Sequence, residues 1–315
     1  MVTFGSPVRH PGFGLAIHVL SARLRVAPKS TAMQIEQLTI LAPGLIGGSV
    51  ARAARVRGVA RNVVIWARRP ETRQAVTEAK LGDRTAETPE DAVRNANFVV
   101  IAAPVDAIVP LARQIAPHLS AGSVVTDVGS VKSEIAREGH AALDGNGAHF
   151  VGAHPMAGSE KTGWEYGNAS LFAGRTCFVT PGKGTDKGAA KAVANFWSGL
   201  GATVVTVDPE THDRIVAHIS HLPQIVASSL CAFLATQDPG WRDFAGGGLR
   251  DTTRIAGSDP ALWKTILEQN RTEVLKALGG MRSELEGFES ALKRKDWSEV
   301  KRRLERGNVY RKGIH

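Results

Sequence analysis

Residues 37–49 read QLTILAPGLIGGS, and this stretch decides the fold. A short apolar run enters a glycine-rich turn, and a helix-period segment, residues 50–56, leaves it. A second apolar run, residues 62–67 (NVVIWA), follows. A strand, a Gly-rich turn, a helix and a second strand form the context in which such a turn binds a dinucleotide. The backbone approaches the pyrophosphate, and the helix N-terminus offers the anion free N–H groups. Gly44 stands where that approach is needed, and Gly47 where the helix must lie close to the sheet. Ala42 replaces the first glycine of the usual pattern. The expected cofactor contacts are Ala42, Gly44, Leu45, Ile46 and Gly47, with Ala103 at the end of a third run, residues 98–103 (FVVIAA).

Outward from this unit the pattern repeats. Residues 123–127, 150–153, 176–180 and 203–207 read as further strands, and 71–79 and 89–95 as helices, the latter with Thr88 as N-cap. Apolar runs alternating with helical segments indicate a parallel sheet covered on both faces. After Asp208 the strand signals stop. Residues 209–235, 259–276 and 281–306 have helical period, and Pro223 is expected to kink or break the first of them. The expected fold is α/β: a Rossmann-type dinucleotide-binding domain over 33–208, then an all-helical domain over 209–310. A helical half of this size buries its apolar faces against the first domain or a twin subunit, so a homodimer through the helical domain is expected.

The chain has 315 residues, 43% hydrophobic and 22% charged, which excludes wholesale disorder and fibrous repeats. Its net charge of +9 is unevenly spread. Residues 1–32 hold Arg9, Arg23, Arg25 and Lys29 and no acid, and the stretch after residue 281 carries a similar excess. The body between is nearly neutral, so no nucleic-acid partner is expected. Cys177 and Cys231 fit no metal spacing and read as buried free thiols in a reducing, cytoplasmic compartment. No metal is expected, and no membrane, since no apolar run reaches the ~18 residues a spanning helix needs. Residues 1–32 are expected to be a disordered arm or the product of a mis-assigned start, with Met33 as the true one.

The end of the second strand bears on cofactor choice. An acid there would bind the ribose hydroxyls of NAD. Here Trp66 and Ala67 lead into Arg68 and Arg69, which suit a 2′-phosphate, so NADP is favoured over NAD.

Chemistry gathers at later strand ends. The fourth strand runs into Gly129-Ser130-Val131-Lys132, and the fifth into His154-Pro-Met-Ala-Gly-Ser-Glu160. Ligands of open α/β sheets bind at such ends, and a histidine there can act as a general base near neutral pH. Downstream stand His212-Asp213, Ser220-His221-Leu222-Pro223-Gln224 and GGGLRDTTRIAGSDPALW (residues 246–263). Arg250 and Arg254 are four apart, one face of a helix, where they would grip a dianionic substrate or pair with Asp251 and Asp259.

With these motifs in this order, from about residue 33 to about residue 307, the chain resembles the prephenate/arogenate dehydrogenase family of tyrosine biosynthesis, in its monofunctional form. The resemblance implies oxidative decarboxylation of a cyclohexadienol with hydride transfer to NAD(P)+. It implies His154 as base on the ring hydroxyl and Ser130 as its hydrogen-bonding companion. It implies Arg254 on a substrate carboxylate, with Glu160, His212, Arg250 and Trp263 near the substrate or its entry. Gln224 falls where some members have histidine, and a neutral amide leaves the choice between keto acid and amino acid open. A β-hydroxyacid or imine-type dehydrogenase would share the fold class but leave the His154 motif unexplained.

Overall fold

The computed structural model describes residues 35–158 and 161–314. The arm over 1–32, together with Met33 and Gln34, lies outside the described residues, as does Glu160. Residues alternate along the first half as β1 (Ile35–Leu41), α1 (Leu45–Arg57), β2 (Ala60–Trp66), α2 (Pro70–Glu78), β3 (Arg84–Thr85), α3 (Pro89–Val93), β4 (Phe98–Ile101) and α4 (Val105–Ile115). Then come β5 (Val124–Asp127), α5 (Ser133–Leu143), β6 (His149–Pro155), β7 (Thr176–Thr180), α6 (Lys187–Gly199) and β8 (Thr203–Thr206). The eight strands form one sheet in the order β3-β2-β1-β4-β5-β6-β7-β8. This is the doubly wound order, with the switch point between β1 and β4.

The apolar runs are continuous because successive side chains feed opposite faces. Leu38, Ile40, Val63, Ile65, Phe98 and Val100 pack with α1 and α6. Leu41, Val64, Trp66, Val99, Ile101 and Phe150 pack with α3, α4 and α5 on the other face. One pairing departs from the all-parallel expectation: β6 and β7 are antiparallel, and β7 and β8 parallel again. The long connection between β6 and β7 reverses the chain, so His154 on β6 is flanked by strands of opposite direction.

Thr88 caps α3, accepting from the Asp91 N–H. Helices α4, α5 and α6 were not expected. For α6 the signal is present, since Asp186 accepts from the Ala189 N–H. For α5 it is not, because its N-cap, Lys132, makes no side-chain cap.

The chain then becomes helical: α7 (Pro209–Val216), a π-helical segment (Ala217–His221), α8 (Leu222–Leu234), α9 (Gly247–Thr253), α10 (Pro260–Gln269), α11 (Arg271–Lys293) and α12 (Trp297–Lys312). Pro223 does not break the first of these. It directly follows the π segment, whose wider turn makes room for its ring and for the hydrogen bond its missing N–H cannot make. The result is an unbroken helix, Pro209–Leu234, long and apolar enough by length and composition to cross a membrane, which corrects the sequence expectation. The later boundaries also differ. Gly279 and Gly280 lie inside α11, and the break falls instead at Asn270, whose side chain is bonded to Asp213 and His221. Of the two thiols Cys177 is buried, but Cys231, on α8, is exposed.

Candidate active site

The glycine-rich turn sits at the C-terminal end of β1, beside the switch point. Ala42 takes φ 61°, a left-handed conformation, and its N–H bonds the Trp66 carbonyl at 2.9 Å. Gly44 caps α1 with nothing within 4 Å of where a Cβ would stand, and no side chain caps the helix. The first N–H groups of α1, at Leu45, Ile46 and Gly47, therefore face outward unclaimed by a capping side chain. At Gly47 a Cβ would lie 2.9 Å from Ala102 Cβ, so only glycine lets α1 lie this close to the sheet. An open backbone cradle on an uncapped helix N-terminus fits a pyrophosphate. Ala103 follows β4 across the switch point, buried. Arg68 and Arg69 follow β2, both exposed, whereas Arg73 is bound to the carbonyls of Ala67 and Arg68 and to Glu87.

Farther along the same sheet edge, β5 and β6 carry the reactive groups. His154 is 8% exposed near the end of β6. Its Nδ1 lies 2.9 Å from His212 Nε2, and His212 Nδ1 lies 2.9 Å from Asp213 Oδ1. Its Nε2 has no hydrogen-bond partner among the described residues. Desolvation, helped by His212 and the Lys132 ammonium, holds the His154 imidazolium well below the ordinary histidine range. His154 is thus neutral near pH 7, as a base must be.

Asp213, on α7, does more than hold His212. Its carboxylate also accepts the N–H of Lys132 at 2.7 Å and of Ser133 at 2.8 Å. These are the first N–H groups of α5, so a carboxylate from the helical half supplies the cap that α5 lacks. Burial raises the Asp213 pKa, but the hydrogen bonds from His212, Ser133 and Lys132 outweigh it and the net shift is downward. Beneath the site, Lys132 and Asp127 form an ion pair, both wholly buried. Asp127 also accepts from the N–H of Gly129 and of Ala153. One carboxylate thereby ties the Ser130 loop to the strand of His154. Ser130 is half-buried on that loop and makes no hydrogen bond among the described residues.

The helical half closes the other side. His221 is 1% exposed; its Nδ1 takes a hydrogen bond from Asn270 at 3.2 Å, and its Nε2 is buried without a partner among the described residues. Trp263 stands edge-on to His221, ring centroids 5.9 Å apart. Gln224, one turn along, is buried, with its amide nitrogen on Ser228 and its Oε1 unpartnered among the described residues. Arg250 and Arg254 lie on α9 and the turn after it, both exposed, and neither forms the ion pairs with Asp251 or Asp259 that their spacing allowed. His212 corrects its sequence assignment. It is fully buried with both ring nitrogens engaged by His154 and Asp213, leaving nothing to offer a substrate. Sequence reasoning missed Asp127, Lys132, Asp213 and Asn270 as site residues. The first three sat inside motifs already noted, while Asn270 gave no signal.

Residues 50–206 match the family described as prephenate dehydrogenase, nucleotide-binding domain, and residues 208–306 match prephenate dehydrogenase, dimerization domain. The chain belongs to the prephenate dehydrogenase family. Its activity, at the level of that family, is NAD(P)-dependent oxidation of prephenate or arogenate in tyrosine biosynthesis, and the β-hydroxyacid alternative is set aside. A prephenate dehydrogenase of Bacillus subtilis is 34% identical over 277 residues, 86% of this chain and 74% of that protein. A cyclohexadienyl dehydrogenase of Zymomonas mobilis is 30% identical over 265 residues, 83% of this chain and 90% of that protein. The solved prephenate dehydrogenase of A. aeolicus, in complex with hydroxyphenyl propionate and NAD+, superposes with a TM-score of 0.83. It is 32% identical, and the match covers 91% of this chain and all of that one.

Proposed function

We propose that the site around His154 oxidatively decarboxylates a cyclohexadienol, with prephenate and arogenate as the two candidate substrates. The observation that carries this reading is His154 Nε2, unpartnered among the described residues, in a ring that burial keeps neutral, at the same sheet edge as the uncapped α1 N-terminus. His154 Nε2 takes the proton of the ring hydroxyl, and Ser130 hydrogen-bonds the same oxygen. A bound nicotinamide would supply the hydride acceptor for the hydroxyl-bearing carbon. The ring carboxylate leaves as carbon dioxide, its bonding pair completes the aromatic ring, and His154 returns the proton to the phenol oxygen. Arg254, with Arg250, grips substrate carboxylates, and Trp263 and Gln224 line the substrate side. Burial of His154 excludes bulk water from the proton transfer.

The cradle of Ala42, Gly44, Leu45, Ile46, Gly47 and Ala103 holds the pyrophosphate, and Arg68 and Arg69 favour NADP+ through its 2′-phosphate. The protein works as a cytoplasmic homodimer through its helical half, which leaves Phe233, Trp241 and Phe244 exposed in the single chain. The experiment is direct: mix the protein with prephenate or arogenate and NAD+ or NADP+, and follow absorbance of the reduced cofactor. His154→Asn should lower turnover ~10²–10⁴-fold with little change in substrate affinity. Near-normal turnover in that variant contradicts the assignment.

A further inference from the structure

We infer that Asp213 and His212 are positioning residues that fix the tautomer of His154 and stabilise the charge it acquires during turnover. This rests on the proposed role of His154 as base. An ionised carboxylate can only accept, so Asp213 Oδ1 requires a proton on His212 Nδ1. A neutral His212 then presents a bare Nε2, which lies 2.9 Å from His154 Nδ1. His154 must donate there, and its own Nε2 is left as a lone pair. Every link is read from an acceptor that cannot donate, so the chain has one polarity. It runs from the carboxylate through two rings in the Nδ1–H form, the less common one for a free histidine, to the base nitrogen.

The origin of the polarity lies in the other half of the molecule. Asp213 stays ionised because the hydrogen bond from His212 and those from the N–H groups of Ser133 and Lys132 at the start of α5 hold its charge against burial. The base nitrogen in the substrate site is thus set by a contact between α7 and α5. When His154 takes a proton, the positive ring faces His212 Nε2 and, behind it, the Asp213 charge. The other groups facing His154 are the Lys132 ammonium and its partner Asp127, neutral His221, and the Cys177 thiol on β7, which burial keeps protonated. Lys132 opposes a charged His154, so Asp213 supplies the compensation.

Two measurements on the full-length protein test the inference. Long-range ¹H–¹⁵N NMR of histidine-labelled protein should show both His154 and His212 protonated at Nδ1 and bare at Nε2; a proton on His154 Nε2 overturns the proposal. In kinetics, Asp213→Asn should lower kcat by ~10²–10⁴-fold, the range for loss of a base or its orienting carboxylate. It should change KM little and move the acid limb of kcat/KM to lower pH. A purely structural role would leave the limb in place, or raise it as water enters, and either result overturns the relay. If Asp213→Asn does not fold, His212→Gln serves. Its amide oxygen still accepts from His154 Nδ1 but is cut off from the carboxylate, so the tautomer should persist while the acid limb falls. An unmoved limb in His212→Gln counts against the relay. Wild-type protein that oxidises neither prephenate nor arogenate overturns instead the reading on which this rests.

Discussion

Lys132 and Asp127 meet with neither side chain exposed to solvent, directly under the loop of Ser130 and the strand of His154. Taking two charges out of water is costly, and removing one partner is worse than removing both. Lys132→Met should destabilise the fold by about 3–5 kcal/mol and lower activity in whatever fraction folds. Lys132→Met combined with Asp127→Asn should be milder than the single change. Chemical denaturation of the three proteins decides it, and equal stability of single and double variants contradicts the pairing argument.

Ala42 occupies left-handed backbone, which costs an alanine of order 1 kcal/mol relative to glycine. Ala42→Gly should therefore raise stability by up to about 1 kcal/mol, roughly 2–4 °C in melting temperature for a chain of this class. Cofactor affinity should be maintained or improved. A drop in melting temperature would show that the methyl group makes compensating contacts.

Three buried histidines make the fold acid-sensitive. Burial lowers the His154 and His212 pKa values, and takes that of His221 from 6.5 to about 4. The unfolded chain binds these protons and the folded one does not, so stability is full above pH 6.5 and falls as pH falls. His221 alone should remove about 2 kcal/mol between pH 7 and pH 5, at ~1.4 kcal/mol per unit. His221→Gln should flatten the slope of stability against pH in that window. A slope unchanged by the substitution assigns the acid sensitivity to other groups.

Cofactor choice turns on Arg68. With no acid after β2 and both arginines exposed, NADP+ should be used roughly ten- to hundred-fold more efficiently than NAD+, the worth of one charge-assisted bond. Arg68→Ala should erase most of that ratio without altering NAD+ kinetics. A wild-type preference for NAD+ refutes the argument.

Most of the nucleotide-binding half was legible because its signals are local. The short apolar runs of β1, β2, β4 and β5, bounded by turn residues, carry their strand signal within themselves, and the turn around Gly44 carries its own reason. What escaped was set by partners distant in sequence. Helix α5 is capped by Asp213, 80 residues away, so no capping signal exists near Ser133. The antiparallel β7 follows from the path of the β6–β7 connection, which composition does not encode. The end of α10 is fixed by Asn270 reaching Asp213 and His221, whereas Gly279-Gly280, the obvious breaker pair, is carried inside α11. In the site, His154 announced itself by motif. The exclusion of His212 from substrate contact depends on two ring nitrogens both finding partners, which only geometry can tell.

The π turn between α7 and α8 is one residue longer than the α-helical path it replaces. Everything C-terminal to it is rotated by about 100° relative to a continuous α-helix, the angle one residue subtends at 3.6 residues per turn. Deleting one residue within Ala217–His221 would leave the composition of the helix nearly untouched and its apolar length sufficient. Yet it would swing His221 away from Asn270 and Trp263, carry Gln224 round with it, and press the Pro223 ring into the preceding turn. At this point the chain stores stereochemistry in its residue count, so a single-codon deletion would cost more here than most substitutions.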